Sequence, residues 1–261
     1  MSYTLCKNNP IGIFDSGLGG ISVLRELVRI MPSEDFIYLG DSLHAPYGTK
    51  TLEEVRQRSI ENAEFLFDKG AKGLVVACNT ATSAAVRLLR EMYPYIPIVG
   101  IEPAVKPAVN CMEHPKVLVM ATPMTIREEK FHKLMDRYKE QGEIIPLPCP
   151  GLMNFVERGD LDGEDLEKYL SELLFEYKHN KVDAVVLGCT HYPFVKSMIS
   201  KVLGGDVLLF DGGEGTAREM KRRLGASDLL TDKNQKGKVE FINTIPGEEK
   251  INLCKNLFFS K

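Results

Sequence analysis

The chain has 261 residues, a formal net charge of -3, and 44% hydrophobic and 26% charged residues. These proportions are typical of a globular protein with enough core for one large domain or two smaller ones. The slightly acidic balance argues against general nucleic-acid binding, which leaves a basic footprint, but a local pocket can still bind a small anion.

The sequence shows no sign of membrane insertion or secretion. No apolar run approaches the roughly 18–20 residues that span a bilayer, and the first ten residues, MSYTLCKNNP, lack the apolar core of a secretory signal. Six cysteines are scattered along the chain without a CxxC pair. We therefore expect a cytoplasmic protein with free thiols, and neither a disulfide framework nor a metal site.

Short β-rich apolar runs alternate with helical stretches in chain order. Strands are predicted at Ile11–Phe14, Phe36–Leu39, Leu74–Ala77, Ile98–Ile101, Val117–Met120, Ile144–Leu147, Ala184–Leu187 and Val207–Phe210, with a further edge strand at Lys238–Asn243. Helices are predicted at Thr51–Asp68, Ala81–Met92, Ile126–Lys139, Asp165–Tyr177 and Pro193–Val202. Several strands are apolar throughout, as strands covered on both faces are. The alternation predicts an α/β protein with mainly parallel sheets.

Two pairs of segments resemble each other. Gly73–Arg87 and Asp183–Ile199 each predict a strand, then a cysteine, then a helix that opens with a hydroxyl residue. A second correspondence links GIFDSGLGG, around Asp15, to LVMATPMTI, around Thr122. Both pairs are offset by roughly 110 residues, which favours a duplicated βα unit.

The duplication predicts two similar doubly wound domains related by a pseudo-twofold axis. The first domain is expected to be discontinuous, 1–100 plus 207–261, and the second to cover 101–206. Because open parallel sheets bind ligands at the carboxyl ends of their strands, we expect the active site in the cleft between the domains.

Cys78 and Cys189 hold the same place in the two similar segments. Each follows an apolar strand and precedes a predicted helix start, where free backbone N–H groups and the helix dipole favour a thiolate. A buried core cysteine is the ordinary alternative for either residue. The shared position and flanking pattern instead predict two reactive thiols on opposite walls of the cleft.

The turn FDSGLGG carries Asp15 between a strand and a helix. Its glycines allow a ligand to approach the backbone closely, although the pattern is neither GxGxxG nor a P-loop. A helix cap is the alternative for Asp15. His191 follows Cys189 by two residues, which favours a site role over a structural one, whereas Glu157 looks like an ordinary exposed helix carboxylate.

Several other polar residues have two plausible roles. The loop DSLHAPYG places Tyr47 and Gly48 where they border a cleft or simply form a connection. Asn79, Thr80 and Thr190 are each suited to capping a helix or to binding a carboxylate, and the two roles are compatible.

Five motifs together resemble the glutamate racemase family. They are IGIFDSGLGG (Ile11–Gly20), DSLHAPYG (Asp41–Gly48), ACNTA (Ala77–Ala81), VGIEPA (Val99–Ala104) and GCTHYP (Gly188–Pro193). They occur in the family's order, and the resemblance covers essentially the whole chain. Aspartate and hydantoin racemases are similar mainly around the two cysteines, so the full set favours glutamate as the substrate.

The resemblance implies a cofactor-independent racemase that interconverts L- and D-glutamate. It implies Cys78 and Cys189 as the catalytic bases, assisted by Asp15, His191 and Glu157, with Cys78 acting on D-glutamate and Cys189 on L-glutamate. The implied substrate-binding positions are Asp15, Ser16, Tyr47, Gly48, Asn79, Thr80, Thr125, Thr190 and His191. It further implies a cytoplasmic homodimer that supplies D-glutamate for peptidoglycan synthesis.

Three other functions fit parts of this pattern. A two-domain amino-acid binding protein would have a similar cleft but no need for paired thiols. A cysteine hydrolase would use Cys189 with His191 and leave Cys78 without a role. A racemase acting on aspartate or another acidic amino acid is the nearest enzymatic alternative. No lysine lies in a recognisable pyridoxal-phosphate setting, which agrees with a reaction that needs no cofactor.

Overall fold

The structure is a computed structural model that describes residues 5–179, 181–204 and 206–259. The strands are β1 (Ile11–Asp15), β2 (Phe36–Gly40), β3 (Gly73–Val76), β4 (Ile98–Gly100), β5 (Lys116–Ala121), β6 (Glu143–Pro148), β7 (Ala184–Leu187), β8 (Leu208–Asp211) and β9 (Val239–Asn243). The α-helices are α1 (Ile21–Ile30), α2 (Leu52–Asp68), α3 (Asn79–Met92), α4 (Val105–Val109), α5 (Pro123–Arg127), α6 (Glu129–Tyr138), α7 (Leu152–Glu157), α8 (Glu164–Leu173), α9 (Lys196–Leu203), α10 (Gly213–Ala226) and α11 (Glu248–Phe259). Short 3-10 turns cover Ser42–His44, Tyr47–Thr49, Phe175–Tyr177 and Tyr192–Val195.

The chain forms two compact units, each with its own parallel sheet. The first unit is Met1–Ile101 with Gly213–Lys261, and the second is Glu102–Gly212. The first sheet has the strand order β4-β3-β1-β2-β9, and the second has the order β6-β5-β7-β8. All described strand pairs are parallel, so the predicted α/β class is confirmed, as is the predicted edge position of the last strand.

The two sheets have the same internal order. Reading β5 to β8 in place of β1 to β4, the first sheet's β4-β3-β1-β2 becomes β8-β7-β5-β6, which is the second sheet read from its other edge. Among the strands of the described residues, only β9 lacks a counterpart. The matching topology supports the duplication that the paired segments predict, because βα repeats conserve strand order.

The predicted domain boundary after residue 206 differs from the structure. β8 pairs with β7 in the second sheet, with Ala184 opposite Leu208, so the second unit continues to Gly212. The prediction placed this strand in the first domain. A short apolar run does not reveal which sheet it joins, because strand pairing is a long-range property.

The strands are buried because they are covered on both faces. Every residue of β1, β2, β3 and β7 is buried. In the second unit, one apolar cluster joins α4 and the buried Phe131 of α6 to residues of β5 and β7. This packing fixes the strand ends from which the polar residues described below project.

Helix boundaries follow capping residues where the sequence supplies them. α2 begins with a capping box in which Thr51 and Glu54 exchange hydrogen bonds. The predicted helix Ile126–Lys139 is instead two helices, because Glu128 has an extended backbone (φ -71°, ψ 137°) between α5 and α6. Among the described residues, no helix combines the length and the apolar sequence needed to cross a membrane.

Candidate active site

Cys78 lies at the point where β3 ends and α3 begins. Ala77 donates its backbone N–H to the carbonyl of Phe14 at 2.9 Å, which holds this end of the chain against β1. Cys78 is the N-cap residue of α3, and its Sγ accepts the backbone N–H of Ala81 at 3.5 Å. The side chain is buried, and its place at the positive end of the α3 dipole favours a thiolate.

The first turn of α3 contains Asn79 and Thr80, both buried. The helix begins at Asn79, two residues before the predicted start at Ala81. Within the described part of the chain, the Asn79 Oδ1 is a buried atom without a hydrogen-bond partner. Because buried polar atoms are almost always paired, this acceptor is suited to a donor on a bound ligand.

Asp15 is the last residue of β1, the strand beside β3. Its side chain is fully buried, and its Oδ2 accepts the backbone N–H of Gly17 at 3.0 Å. It does not cap a helix, because Gly20 is the N-cap residue of α1 and has no side-chain cap. Ser16, also buried, follows Asp15 in the same turn. Asp15 and Cys78 therefore lie at the carboxyl ends of neighbouring parallel strands.

The loop after β2 is anchored by a buried carboxylate. Tyr47 donates its hydroxyl to Asp41 Oδ2 at 2.6 Å and accepts the side-chain N–H of Asn62 at 3.0 Å. Burial raises the pKa of Tyr47, and the charge of Asp41 and a smaller effect of Cys78 raise it further. The hydroxyl therefore stays protonated. Gly48 follows within a 3-10 turn. The loop is a fixed part of the first unit, and Asp41 and Asn62 are residues that the sequence did not single out.

Cys189 has the matching place in the second unit. Gly188 donates its backbone N–H to the carbonyl of Met120 on β5 at 2.7 Å, as Ala77 does to Phe14 on β1. Cys189 follows Gly188, is buried, and lies two residues beyond the end of β7. Both units thus contain the predicted strand followed by a cysteine.

The segments that follow the two cysteines differ in secondary structure. The chain after Cys189 forms a 3-10 turn from Tyr192, and α9 starts only at Lys196. The prediction of a helix that opens with Thr190 is therefore wrong. Pro193 explains the difference, because proline favours the first turn of a helix and so sets the start beyond Thr190. Thr190 is buried in the preceding turn.

Cys189, His191 and Glu157 form a connected row. The Cys189 Sγ lies 3.6 Å from His191 Nδ1, and His191 Nε2 lies 2.8 Å from Glu157 Oε1. Burial alone would lower the pKa of His191, but the hydrogen bonds to Cys189 and Glu157, and their charges, raise it well above its usual value. A histidine held between a thiol and a carboxylate can move a proton to or from the sulfur.

Glu157 is not the exposed carboxylate that its sequence context predicts. It is the last residue of α7, its side chain is 16% exposed, and it reaches a histidine 34 positions away. The start of α7 is fixed by Gly151, whose φ of 85° suits glycine. Just before it, the Cys149 carbonyl accepts the hydroxyl of the buried Tyr192 at 3.3 Å. Nothing local in the sequence signals these contacts.

Thr125 is held in α5, the short helix that follows β5. Thr122 caps α5, with its Oγ1 accepting the Thr125 backbone N–H at 3.2 Å and lying 2.9 Å from the Thr125 Oγ1. Thr125 is buried. In the chain order of the two units this turn corresponds to the Asp15 turn, but Ala121 stands where the first unit has Asp15. The carboxylate of the second unit is instead supplied by Glu157.

All six cysteines are free thiols. Across residues 5–179, 181–204 and 206–259, no group of three or more His, Cys, Asp or Glu side chains is arranged to hold a metal ion.

Known proteins resemble this chain over nearly its full length. The family model described as Asp/Glu/Hydantoin racemase matches residues 11–220. A glutamate racemase of Clostridium perfringens is 53% identical over 251 residues, covering 96% of each chain. Among solved structures, a glutamate racemase isoform of Bacillus anthracis has a TM-score of 0.87 at 32% identity, covering 98% of this chain and 96% of that one. A Francisella tularensis glutamate racemase, solved in complex with D-glutamate, has a TM-score of 0.82 at 29% identity, covering 98% and 95%.

The family match spans most of the chain and both cysteines, and the Clostridium relative extends it to almost every residue. The chain therefore belongs to the glutamate racemase family.

Proposed function

We propose that this protein interconverts L- and D-glutamate without a cofactor, using Cys78 and Cys189 as two bases on opposite faces of the α-carbon. The observation that carries the proposal is the repeated placement of the thiols. Each cysteine lies two residues beyond the end of the corresponding strand in its unit, and each has an acidic group in its own unit. The relatives named glutamate racemases support the choice of substrate.

Racemisation removes an α-proton from one face of the substrate and returns a proton to the other. A single base would have to cross the substrate plane, whereas two thiols need only exchange states. The thiolate on one side takes the proton and becomes a thiol, and the thiol on the other side donates its proton and becomes a thiolate. Cysteine suits both roles because the pKa of a thiol lies near working pH.

The buried polar groups suit an amino acid with a negatively charged side chain. The unpartnered Asn79 Oδ1 is available to the substrate ammonium group. Backbone N–H groups at the start of α3 and the hydroxyls of Ser16, Thr80, Thr125 and Thr190 are candidate donors to its carboxylates. We propose that Tyr47 and Gly48, at the anchored loop, complete these contacts.

In this proposal, different residues assist proton transfer at the two thiols. Asp15 assists Cys78, which takes the proton of D-glutamate, and His191 with Glu157 assists Cys189, which takes the proton of L-glutamate. Hydrogen bonding of the substrate carboxylate stabilises the developing carbanion.

Single-cysteine variants in deuterated water test the two-base scheme. Cys78→Ala and Cys189→Ala should each lose racemisation by about 10²–10⁴-fold, the usual contribution of a positioned acid or base. Cys189→Ala should still exchange the α-proton of D-glutamate alone, and Cys78→Ala that of L-glutamate alone, as read by NMR. Cys6→Ala, which changes an exposed thiol, is the matched control. Full racemisation by either active-site variant would contradict the scheme.

Substrate identity is tested by following circular dichroism of L-glutamate, L-aspartate and L-glutamine over time. We expect rapid loss of optical activity with glutamate, and slow or no loss with the other two. An amino-acid binding protein would change none of the three signals, and faster loss with aspartate would reassign the substrate.

One geometric feature favours a second candidate, a cysteine hydrolase. The row formed by Cys189, His191 and Glu157 resembles a nucleophile with its base and an orienting carboxylate. That function leaves Cys78 without a role. Hydrolysis of a chromogenic γ-glutamyl amide that persists in Cys78→Ala, together with no racemisation by the unmodified protein, would favour it.

Three finer proposals accompany the racemase assignment. We propose a homodimer, a cytoplasmic location and a supply of D-glutamate to peptidoglycan synthesis. The six free thiols support a reducing compartment. Light scattering tests the dimer, fractionation tests the location, and growth of a D-glutamate auxotroph carrying this gene tests the supply role.

A further inference from the structure

The turn that carries Asp15 rests on a buried tyrosine of the neighbouring strand. Tyr38 lies in the middle of β2, opposite Ile13 on β1 and Phe241 on β9, and is fully buried. Its hydroxyl donates to the Gly17 carbonyl at 2.7 Å. We infer that Tyr38 is a positioning residue that fixes the Asp15 carboxylate for proton transfer at Cys78, an inference that rests on the proposed function.

Gly17 connects Tyr38 to Asp15 through its two backbone polar groups. Its carbonyl accepts the Tyr38 hydroxyl, and its N–H donates to Asp15 Oδ2 at 3.0 Å. Any rotation of this residue would therefore move the donor that orients the carboxylate. The Asp15 carbonyl accepts the Asp41 backbone N–H at 2.9 Å, so the main chain of Asp15 is fixed separately from its side chain.

The Gly17 carbonyl is enclosed, so another donor cannot easily replace the tyrosine. A Cβ atom added to Gly40 would lie 2.6 Å from the Gly17 oxygen, which shows how closely β2 approaches the turn. Removing the Tyr38 hydroxyl would leave this carbonyl buried and unpaired, a loss that costs more than an exposed hydrogen bond.

The ring of Tyr38 is held independently of its hydroxyl. A Cβ atom added to Gly20 would lie 3.1 Å from Tyr38 Cε2 and 2.6 Å from Asp15 Cβ, so the ring and the turn are in close contact. On the edge-strand side, the ring centroid lies 6.4 Å from that of Phe241, which in turn packs edge-on against Phe258 of α11 at 5.6 Å. Tyr38→Phe therefore removes the hydrogen bond and keeps the packing.

The test compares the unmodified protein with Tyr38→Phe, using D- and L-glutamate with protium or deuterium at the α-carbon. We expect kcat to fall about tenfold with KM within about twofold, since one buried hydrogen bond to a catalytic turn is lost. The primary isotope effect should rise with deuterated D-glutamate, because proton removal by Cys78 becomes more rate-limiting. It should not rise with deuterated L-glutamate, where Cys189 removes the proton.

Two further variants separate positioning from stability. Tyr93→Phe removes a hydroxyl that reaches Glu64 at 3.1 Å in the same unit, and its kinetics should stay within about twofold of the unmodified protein. Phe241→Leu loosens the ring of Tyr38 but keeps its hydroxyl, and should give a smaller rise in the D-glutamate isotope effect. This second variant keeps the inference testable should Tyr38→Phe be too unstable to assay.

The outcomes are distinct for the inference and for the proposed function. A lower kcat with unchanged isotope effects would mean only that fewer molecules are folded, and would overturn the positioning role of Tyr38. Kinetics of Tyr38→Phe equal to those of the unmodified protein would overturn it as well. Absence of glutamate racemisation in the unmodified protein would instead refute the proposed function itself.

Discussion

The contact between Glu157 and His191 allows a quantitative prediction about the reaction at Cys189. His191 is fully buried, its Nε2 lies 2.8 Å from Glu157 Oε1, and the glutamate side chain is only 16% exposed. A hydrogen bond to a charged group contributes about 1.5–3 kcal/mol, and a neutral one about 1 kcal/mol. Glu157→Gln keeps the shape and replaces the first kind of bond with the second. We expect a loss of about 1–2 kcal/mol, or about 5- to 30-fold in rate if the full difference acts on the transition state.

The assay measures kcat, KM and isotope effects in both directions. Because the two enantiomers have equal free energy, their equilibrium constant is one, and kcat/KM must fall by the same factor in both directions. The isotope effect separates the two steps: it should rise with deuterated L-glutamate, whose proton Cys189 removes in the proposed scheme, and not with deuterated D-glutamate. Glu167→Gln is the matched control, since Glu167 pairs with Lys201 at the surface of the same unit.

The pH dependence of stability provides a second readout for the same variant. The pKa of His191 is raised in the folded protein, so protonated His191 contributes stability that is fully present below its unfolded pKa of about 6.5. That contribution disappears as pH rises through the higher folded pKa. Removing the Glu157 charge lowers the folded pKa of His191. The difference in Tm between the unmodified protein and Glu157→Gln should therefore be largest below about pH 6.5 and shrink as the pH rises to alkaline values.

Unchanged isotope effects and rates in Glu157→Gln would refute the role of Glu157. They would show that His191 acts on Cys189 without its carboxylate partner. A difference in Tm that grows at alkaline pH would contradict the assigned direction of the pKa shift.

Two further predictions concern stability, each measured by urea unfolding. Gly20→Ala should destabilise the protein by about 1–3 kcal/mol and reduce activity, because its Cβ would lie 2.6 Å from the Asp15 Cβ. Gly215→Ala, whose added Cβ would meet no neighbouring atom within 4 Å, should instead stabilise α10 by about 0.4–1 kcal/mol. Equal effects of the two substitutions would contradict this steric explanation. Lys72→Met should cost about 3–5 kcal/mol, because it leaves the buried Glu34 carboxylate without the ammonium group 2.5 Å away. The double variant that also carries Glu34→Gln should lose clearly less, and a loss as large as that of Lys72→Met would show that packing, not charge, is responsible.

The strands and the cysteine positions were predictable because they depend on local patterns. A parallel strand covered on both faces is a short apolar run, so β1, β3, β5 and β7 are visible in the sequence. Cys78 and Cys189 each lie two residues beyond such a strand, and their shared flanking pattern marks them as a pair. The turn at Asp15 was visible for the same reason, since its glycines follow β1 at once.

Two of the features that the sequence did not reveal depend on long-range contacts. Glu157 reaches His191 across 34 positions. Asp41 acts through the hydroxyl of Tyr47, and the strand β8 joins a sheet that its own residues do not specify. The break at Glu128 has no proline or glycine to mark it. For Glu157 and β8 the determining partner is distant in sequence, and periodicity carries no information about it.

The two units share strand order and cysteine placement, but they supply acids in different ways. The first unit has a carboxylate on its central strand at Asp15, whereas the second has Ala121 at that place and, in the proposed scheme, relies on His191 with Glu157. A racemase cannot use this difference to favour one direction, because kcat/KM must be equal for two enantiomers of equal free energy.

Assisting residues that differ between the two cysteines can change the fraction of free enzyme that has its thiolate at Cys78 rather than at Cys189. They can also change how kcat and KM are balanced in each direction. An asymmetric pair of helpers is therefore compatible with a symmetric overall reaction. Its consequences should appear in isotope effects on one enantiomer at a time: Tyr38→Phe on the D-glutamate side and Glu157→Gln on the L-glutamate side. Two variants in different units that each change the isotope effect of only one enantiomer, and of opposite enantiomers, would locate the two proton-transfer steps on the two cysteines.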